Sequence, residues 1–125
     1  MLNVDSAVRG HTFLSPQKDA IDIIQNKITD IFYHDVPDYH AMALSNHRPQ
    51  PLAPFNDPIE LSEEKFGKIP KYYVHTLNDR AIPYSFQLQM ATHTSIQKKF
   101  LLSCGHMPQL AMPQNLVAIL HDLDK

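Results

Sequence analysis

The chain has 125 residues, of which 43% are hydrophobic and 19% charged, and its formal net charge is −2. This length and composition predict one globular domain at most and exclude a disordered chain. The weak negative charge excludes the basic surface that nucleic acids and anionic lipids require, so we expect no nucleic-acid partner. No apolar run approaches the roughly 18 residues of a membrane span, so we expect no membrane partner.

The cysteine and glycine content restricts the chemistry further. The single Cys104 cannot form an internal disulfide, and residues 1–6 lack the basic and apolar regions of an export signal. We therefore expect a soluble, cytoplasmic protein. Only three glycines are present, which excludes both Gly-rich phosphate loops and a G-x-S-x-G turn.

The first periodic segment is predicted to be an amphipathic helix. Ser15 is a candidate N-cap, and Pro16 suits the first helical position. Apolar residues then recur every three or four positions, as far as about Tyr33, at Ala20, Ile24, Ile28 and Ile31. This spacing is typical of one face of a helix.

A proline-rich stretch follows. Residues 38–45 are predicted to form a shorter helix, which ends before Pro49 and Pro51. The chain from there to Lys68 is predicted to be a connector, with one turn of helix at residues 62–65.

The carboxy-terminal half has a more regular pattern. Residues 71–76 and 99–103 are β-branched, aromatic or apolar and predict two strands. Pro83 starts a predicted helix to about residue 91, with Phe86 and Met90 on one face. Pro113 starts the last helix, whose apolar stripe is Leu116, Val117, Leu120 and Leu123. The order strand, helix, strand, helix predicts an α/β fold with two parallel strands.

An acid and a histidine follow the two predicted strands. Asp79 lies about three residues after the first strand, and His106 about three after the second. Neighbouring parallel strands lie roughly 4.8 Å apart, and functional groups gather at their carboxyl ends. We therefore expect Asp79 to orient His106 as a general base. The alternative is an Asx-turn at Asp79 and an ordinary loop histidine at position 106.

Other candidate chemistry is weaker. No serine lies on a glycine-flanked elbow, among Ser6, Ser15, Ser45, Ser62, Ser85, Ser95 and Ser103. Cys104 lies two residues before His106, but we expect it to pack at the end of the strand. The eight histidines contain no i, i+4 pair and no partner cysteine at zinc-ligand spacing, so no metal and no cofactor is expected.

Several motifs together resemble a known family. Asn-Asp-Arg-Ala-Ile-Pro at residues 78–83, Gly-His-Met-Pro at 105–108 and Pro-Gln-Asn-Leu at 113–116 resemble the carboxy-terminal end of α/β-hydrolases. The nearest branch is that of methylesterases and hydroxynitrile lyases, with its bacterial relatives. Further similarity upstream, at residues 31–35, 48–51 and 64–74, extends the resemblance over roughly residues 28–125.

The resemblance implies a carboxy-terminal α/β-hydrolase portion. It implies a cap-like helical and proline-rich segment at residues 1–56 and a strand–helix–strand–helix segment at residues 57–125. Family members hydrolyse small carboxylic esters, including methyl esters, with a Ser-His-Asp triad, and Asp79 and His106 match its acid and histidine. The family's nucleophile elbow and oxyanion hole precede the cap, so we expect this chain to be a truncated member that lacks both.

A non-enzymatic function is the alternative. In such a remnant the first parallel strand, at residues 71–76, has an open edge that can recruit strands from other chains. The chain would then act as a binding module or form homo-oligomers through that edge.

Overall fold

A computed structural model describes residues 8–123 of the protein. In this range the strands are β1 Thr12–Leu14, β2 Ala20–Ile23, β3 Gln50–Pro51, β4 Tyr72–Thr76 and β5 Lys98–Leu102. The α-helices are α1 Gln25–Phe32, α2 His40–Asn46, α3 Ala53–Asn56, α4 Tyr84–Met90, α5 Pro108–Ala111 and α6 Pro113–Leu123. Short 3-10 helices occupy Arg9–His11, Pro37–Tyr39 and Phe66–Lys68.

The amino-terminal part contains a small antiparallel sheet with the strand order β1-β2-β3. Phe13 pairs with Asp22 between the first two strands, and Ile21 pairs with Gln50 between the second and third. The predicted helix from Pro16 is therefore wrong in its first half, because α1 begins only at Gln25.

The local chemistry explains this correction. The Ser15 hydroxyl accepts hydrogen bonds from the backbone N–H groups of Asp19 and Ala20, each at 3.2 Å, so it caps a β-turn region and not a helix. Lys18 has a φ of 59°, which a helix does not allow. β-branched isoleucines lose rotamer freedom in a helix and fit a strand better, so residues 20–23 pair as a strand.

The helices α1 and α2 pack together over the amino-terminal core. Within the predicted stripe, Ile28 and Ile31 are buried, whereas Ile24 is exposed. The predicted helix at residues 38–45 is confirmed by α2 and the 3-10 turn before it. His47 Nε2 lies 2.6 Å from Oδ1 of Asp22, and this contact ties the segment after α2 to the sheet.

The connector to β4 differs from the prediction in detail. One turn of helix, α3, lies in the stretch predicted to be irregular. The Ser62 carbonyl accepts the Lys65 N–H at 3.3 Å, which closes a turn at the predicted residues 62–65, and it also accepts the Gly67 N–H at 3.0 Å. The 3-10 helix Phe66–Lys68 follows this turn.

The strands β4 and β5 form a separate parallel pair, with Val74 opposite Phe100 and α4 between them in the chain. This confirms the predicted α/β class and parallel pairing. The face of α4 differs from the prediction, since Gln87 is buried and Met90 is 36% exposed. On α6 the predicted stripe is only partly covered, with Val117 and Leu120 more than half exposed.

Some sequence-based expectations fall outside the described range. Residues 1–7 and 124–125, which belong to the predicted segments 1–56 and 57–125, lie outside the described residues, as does Ser6. Between residues 8 and 123, no helix combines the length and apolarity needed to cross a membrane.

Candidate active site

The loops that follow β4 and β5 leave the sheet side by side. The Leu77 N–H donates to the Leu102 carbonyl at 2.9 Å, which continues the parallel pairing beyond the strand ends. Because parallel strands end at the same edge of a sheet, this pairing brings together the loops that carry Asp79 and His106.

Asp79 and His106 are hydrogen-bonded. Nδ1 of His106 lies 2.9 Å from Oδ2 and 3.1 Å from Oδ1 of Asp79. The Asp79 side chain is 5% exposed and that of His106 is 26% exposed. An ionised carboxylate only accepts, so Nδ1–H donates and Nε2 of the neutral ring keeps its lone pair. Phe32 of α1 packs edge-on against the imidazole, with 5.1 Å between the ring centroids.

The Asp79 carboxylate accepts three further hydrogen bonds. Oδ1 accepts from the N–H groups of Ala81 and Ile82 at 2.8 and 2.9 Å, and Oδ2 accepts from the Thr76 hydroxyl at 3.0 Å. The Asx-turn and the pairing with His106 therefore coexist. Burial raises the pKa of Asp79, but the hydrogen bonds from His106 and then Ile82 outweigh it and hold the pKa below its ordinary value.

This lowered pKa predicts a pH dependence of stability. The folded pKa of Asp79 lies below the unfolded value of about 3.9, so its contribution is complete well above about pH 4 and is lost as pH falls through the folded pKa. The difference in free energy of unfolding between wild type and Asp79→Asn should therefore be largest at neutral pH and shrink in acid. Urea titrations followed by circular dichroism from pH 7 to pH 3 measure it. A difference that stays constant over that range would contradict the prediction.

Gln87 of α4 supports the Asp79 loop from below. Its side chain is buried, and its Oε1 accepts the Thr76 N–H at 3.0 Å. Its Nε2 donates to the carbonyls of Thr76 and Ile82 at 2.9 and 2.8 Å. These partners lie three residues before and three after Asp79, so one side chain holds both ends of the loop.

A turn after α1 holds both loops from the other side. Nε2 of His34 donates to the Asn78 carbonyl at 2.9 Å, and Oδ2 of Asp35 accepts the Gly105 N–H at 2.5 Å. We call these two residues the His34–Asp35 turn. Gly105 lies so close that a Cβ there would approach Oδ1 of Asp35 to 2.6 Å and Nε2 of His34 to 2.7 Å. A Cβ at the position next to His106 would therefore force the side chains of the His34–Asp35 turn to shift.

His75 is a second, deeper histidine of β4. It is 1% exposed, and neither ring nitrogen has a hydrogen-bond partner among the described residues. It packs between Tyr73 and Tyr84, with centroid distances of 4.5 and 5.4 Å. Burial lowers the pKa of His75, which favours the neutral ring as part of the core.

The remaining candidates do not form a second site. Cys104 is buried and free, and burial, then the charges of Asp35 and Asp79, raise the pKa of its thiol. Such a thiol is a poor nucleophile, because the thiolate is the reactive form. From residue 8 to residue 123, no cluster of three or more His, Cys, Asp or Glu side chains is placed to hold a metal ion.

A shallow cleft of about 360 Å³ lies beside the acid–histidine pair. Several residues of β4 line it. Its walls include Tyr72, Val74, Thr76, Asp79, His106 and Pro108. His106 therefore faces a space large enough for a small molecule or for part of another segment.

Comparison with known proteins supports the fold and a broad family. No protein-family model matches the chain. Two Arabidopsis thaliana proteins described as candidate chloroplastic methylesterases, numbers 11 and 14, are similar to it in sequence. The first is 30% identical over 83% of this chain and 27% of its own length, and the second is 29% identical over 95% and 32%.

Solved structures match most of the chain. Polyneuridine aldehyde esterase superposes with a TM-score of 0.77 at 18% identity, over 91% of this chain and 47% of its own. The methylesterase MES16 from Arabidopsis gives 0.74 at 20% identity, over 84% and 46%. The pyrethroid hydrolase PytH gives 0.80 at 20% identity, over 92% and 47%.

The chain has an α/β-hydrolase fold, and its sequence is similar to that of methylesterases. It spans about a quarter to a third of the length of the curated relatives and about half of the solved structures. The resemblance to the methylesterase branch of the α/β-hydrolases is confirmed by these relatives.

Sequence reasoning missed two residues that support the Asp79–His106 pair. Asp35 lies in the stretch 31–35 that contributes to the resemblance, and Gln87 lies on the helix predicted after Pro83, yet no role could be given to either. Their partners are 70 and 11 residues away in sequence, at Gly105 and Thr76. A glutamine on the inner face of a short helix was the one available signal, because a buried amide needs several hydrogen-bond partners.

Proposed function

We propose that the chain provides the acid and the general base of a Ser-His-Asp relay for hydrolysis of a small carboxylic ester, with a methyl ester as the preferred class. The bonded pair of Asp79 and His106, with 2.9 Å between Nδ1 and Oδ2, carries this proposal. Relatives named as methylesterases and esterases support the reaction class. The serine and the oxyanion donors would come from a segment outside these 125 residues.

The geometry suits the chemistry of a relay. With Nδ1–H held by Asp79, Nε2 of His106 takes the serine proton as the serine oxygen attacks the ester carbonyl. Asp79 stabilises the imidazolium that forms. His106 then returns the proton to the leaving alcohol, and water repeats the sequence to release the carboxylic acid.

The cap-like segment at residues 1–56 would cover the ester. Phe32 of α1 already packs against the His106 ring, so α1 would form one wall of the substrate pocket. We keep the cytoplasmic location as part of the proposal, although the curated relatives are described as chloroplastic. Imaging of the tagged protein in its own cells tests that location.

A chimera tests the proposed activity. The segment of MES16 that this chain matches is replaced by the chain, and hydrolysis of p-nitrophenyl acetate and of a methyl ester is measured. We expect hydrolysis well above that of MES16 lacking the segment. A chimera that is folded by circular dichroism but no faster than the deleted protein would contradict the proposal.

The open edge of β4 favours a second function, self-association. Among the described residues, β4 pairs only with β5. The backbone N–H and C=O of one residue point to the same side of a strand, and this side alternates from each residue to the next. Leu77 faces β5 and Gln87 holds the outer groups of Thr76, so the N–H and C=O of Tyr72 and Val74 face the open edge. Unpaired edges recruit strands from other chains.

Association through this edge predicts a specific effect of proline. Tyr72→Pro removes one outward N–H and leaves the pairing with β5 intact, as proline is tolerated on the open side of an edge strand. We expect wild type to sediment as a dimer or larger species at tens of micromolar and Tyr72→Pro to shift toward monomer. A monodisperse wild-type monomer in sedimentation velocity would contradict homo-oligomer formation.

A further inference from the structure

The orientation of the Gln87 amide is fixed by its main-chain partners. Only an oxygen accepts the Thr76 N–H, and only an NH₂ group donates to the two carbonyls, so Oε1 and Nε2 have one assignment. The same Nε2 lies 3.1 Å from the Thr76 hydroxyl oxygen. Nε2 has two N–H groups and three acceptors, so one N–H is shared between the Thr76 hydroxyl oxygen and a carbonyl, and toward that hydroxyl Gln87 is a donor.

This donor determines the direction of the Thr76 hydroxyl. Its oxygen receives the Gln87 N–H, and its own proton points to Oδ2 of Asp79, 3.0 Å away. The direction of donation runs from Gln87 to Thr76 to Asp79, and from His106 to the same carboxylate. Each hydrogen-bond partner of Asp79 in the described part of the chain thus donates to it, which favours the ionised form and leaves His106 with an acceptor for Nδ1–H.

We propose that Gln87 and Thr76 are positioning residues for the Asp79–His106 pair, acting through this directed chain of hydrogen bonds. The inference rests on the proposed function for its catalytic meaning. The chain of hydrogen bonds itself is a property of the 125-residue protein. Both side chains are buried, Gln87 at 2% and Thr76 at 7% exposure, so water does not readily replace either bond.

Thr76 variants test the hydroxyl alone. Thr76→Val keeps the shape and the backbone bonds to Gln87 and removes the hydroxyl, whereas Thr76→Ser keeps the hydroxyl. In Thr76→Val we expect the pKa of Asp79, measured from its carboxyl ¹³C shift, to rise toward the ordinary value. We also expect weakening or loss of the downfield NMR signal of the His106 Nδ1–H. Thr76→Ser should retain both properties.

Gln87→Met removes the first donor of this series of hydrogen bonds. Gln89→Met, on the exposed face of the same helix, is its matched control. We expect the first variant to lose the downfield signal and the second to keep it. If Gln87→Met does not fold, the comparison of Thr76→Val with Thr76→Ser tests the inference. An unchanged Asp79 titration and an unchanged His106 signal in Thr76→Val would overturn the inference, whether or not the chimera hydrolyses esters.

Discussion

Asp79→Asn in the MES16 chimera should lower kcat/KM for p-nitrophenyl acetate by about 10³- to 10⁴-fold, and His106→Ala by at least as much. An asparagine accepts the N–H groups of Ala81 and Ile82 but places no negative charge beside Nδ1. The imidazolium that forms during ester attack then loses its stabilising partner, and the ring can take the wrong tautomer.

The double variant gives the sharper test of this relay. When two residues act as one unit, replacing both lowers the activity little more than replacing one. The double variant Asp79→Asn, His106→Ala should therefore have about the same kcat/KM as His106→Ala alone. Asp38→Asn and His93→Ala change exposed side chains of the same types and should leave kcat/KM within about twofold, in line with other surface substitutions. An Asp79→Asn chimera that keeps more than roughly a tenth of the wild-type rate would contradict the assignment.

Gly105→Ala should lower the free energy of unfolding by about 1–3 kcal/mol. Its Cβ would lie 2.6 Å from Oδ1 of Asp35 and 2.7 Å from Nε2 of His34, so the His34–Asp35 turn must move away. That movement strains the hydrogen bond between Asp35 and the Gly105 N–H and the one between His34 and Asn78. Urea denaturation of the full chain measures the change.

The controls separate steric contact from a general effect of glycine. Gly10 has nothing within 4 Å of an added Cβ, and neither glycine has a positive φ, so Gly10→Ala should be close to neutral. Asp35→Ala removes one clashing group, so it should cost less in the Gly105→Ala background than in wild type. Equal stabilities of Gly105→Ala and Gly10→Ala would show that the close approach is not maintained in solution.

The carboxy-terminal half could be predicted from sequence because its signals are local. Residues 71–76 are rich in the β-branched and aromatic side chains that are typical of a strand, and Pro83 and Pro113 mark helix starts. The parallel arrangement of the two strands then brings Asp79 and His106 to one edge of the sheet. The bonded geometry of the pair agrees with that reasoning, while its catalytic role stays a prediction.

The amino-terminal hairpin could not be predicted in the same way. Ala20 and Ile24 fit a helical stripe with Ile28 and Ile31, although the structure uses residues 20–23 as a strand. Pairing with β1 and β3 determines that residues 20–23 form a strand. Both partner strands are short, β3 is distant in sequence, and neither has a strong sequence pattern of its own. Likewise, the supports at Asp35 and Gln87 depend on tertiary contacts that spacing along the chain does not reveal.

The Gln87 amide also sets the limits of the open edge of β4. A strand that docks there meets the outward backbone N–H and C=O groups of Tyr72 and Val74, which pair with no other strand among the described residues. The corresponding groups of Thr76 are already hydrogen-bonded to Gln87. If the docked strand shifted its register by two residues toward the carboxyl end of β4, it would need the backbone groups of Thr76 that Gln87 occupies. The Gln87 amide therefore blocks that shift. The same amide that holds the Asp79 loop therefore limits the register of a docked strand. Any strand that pairs with this edge must end its pairing before Thr76, beside Asp79 and His106.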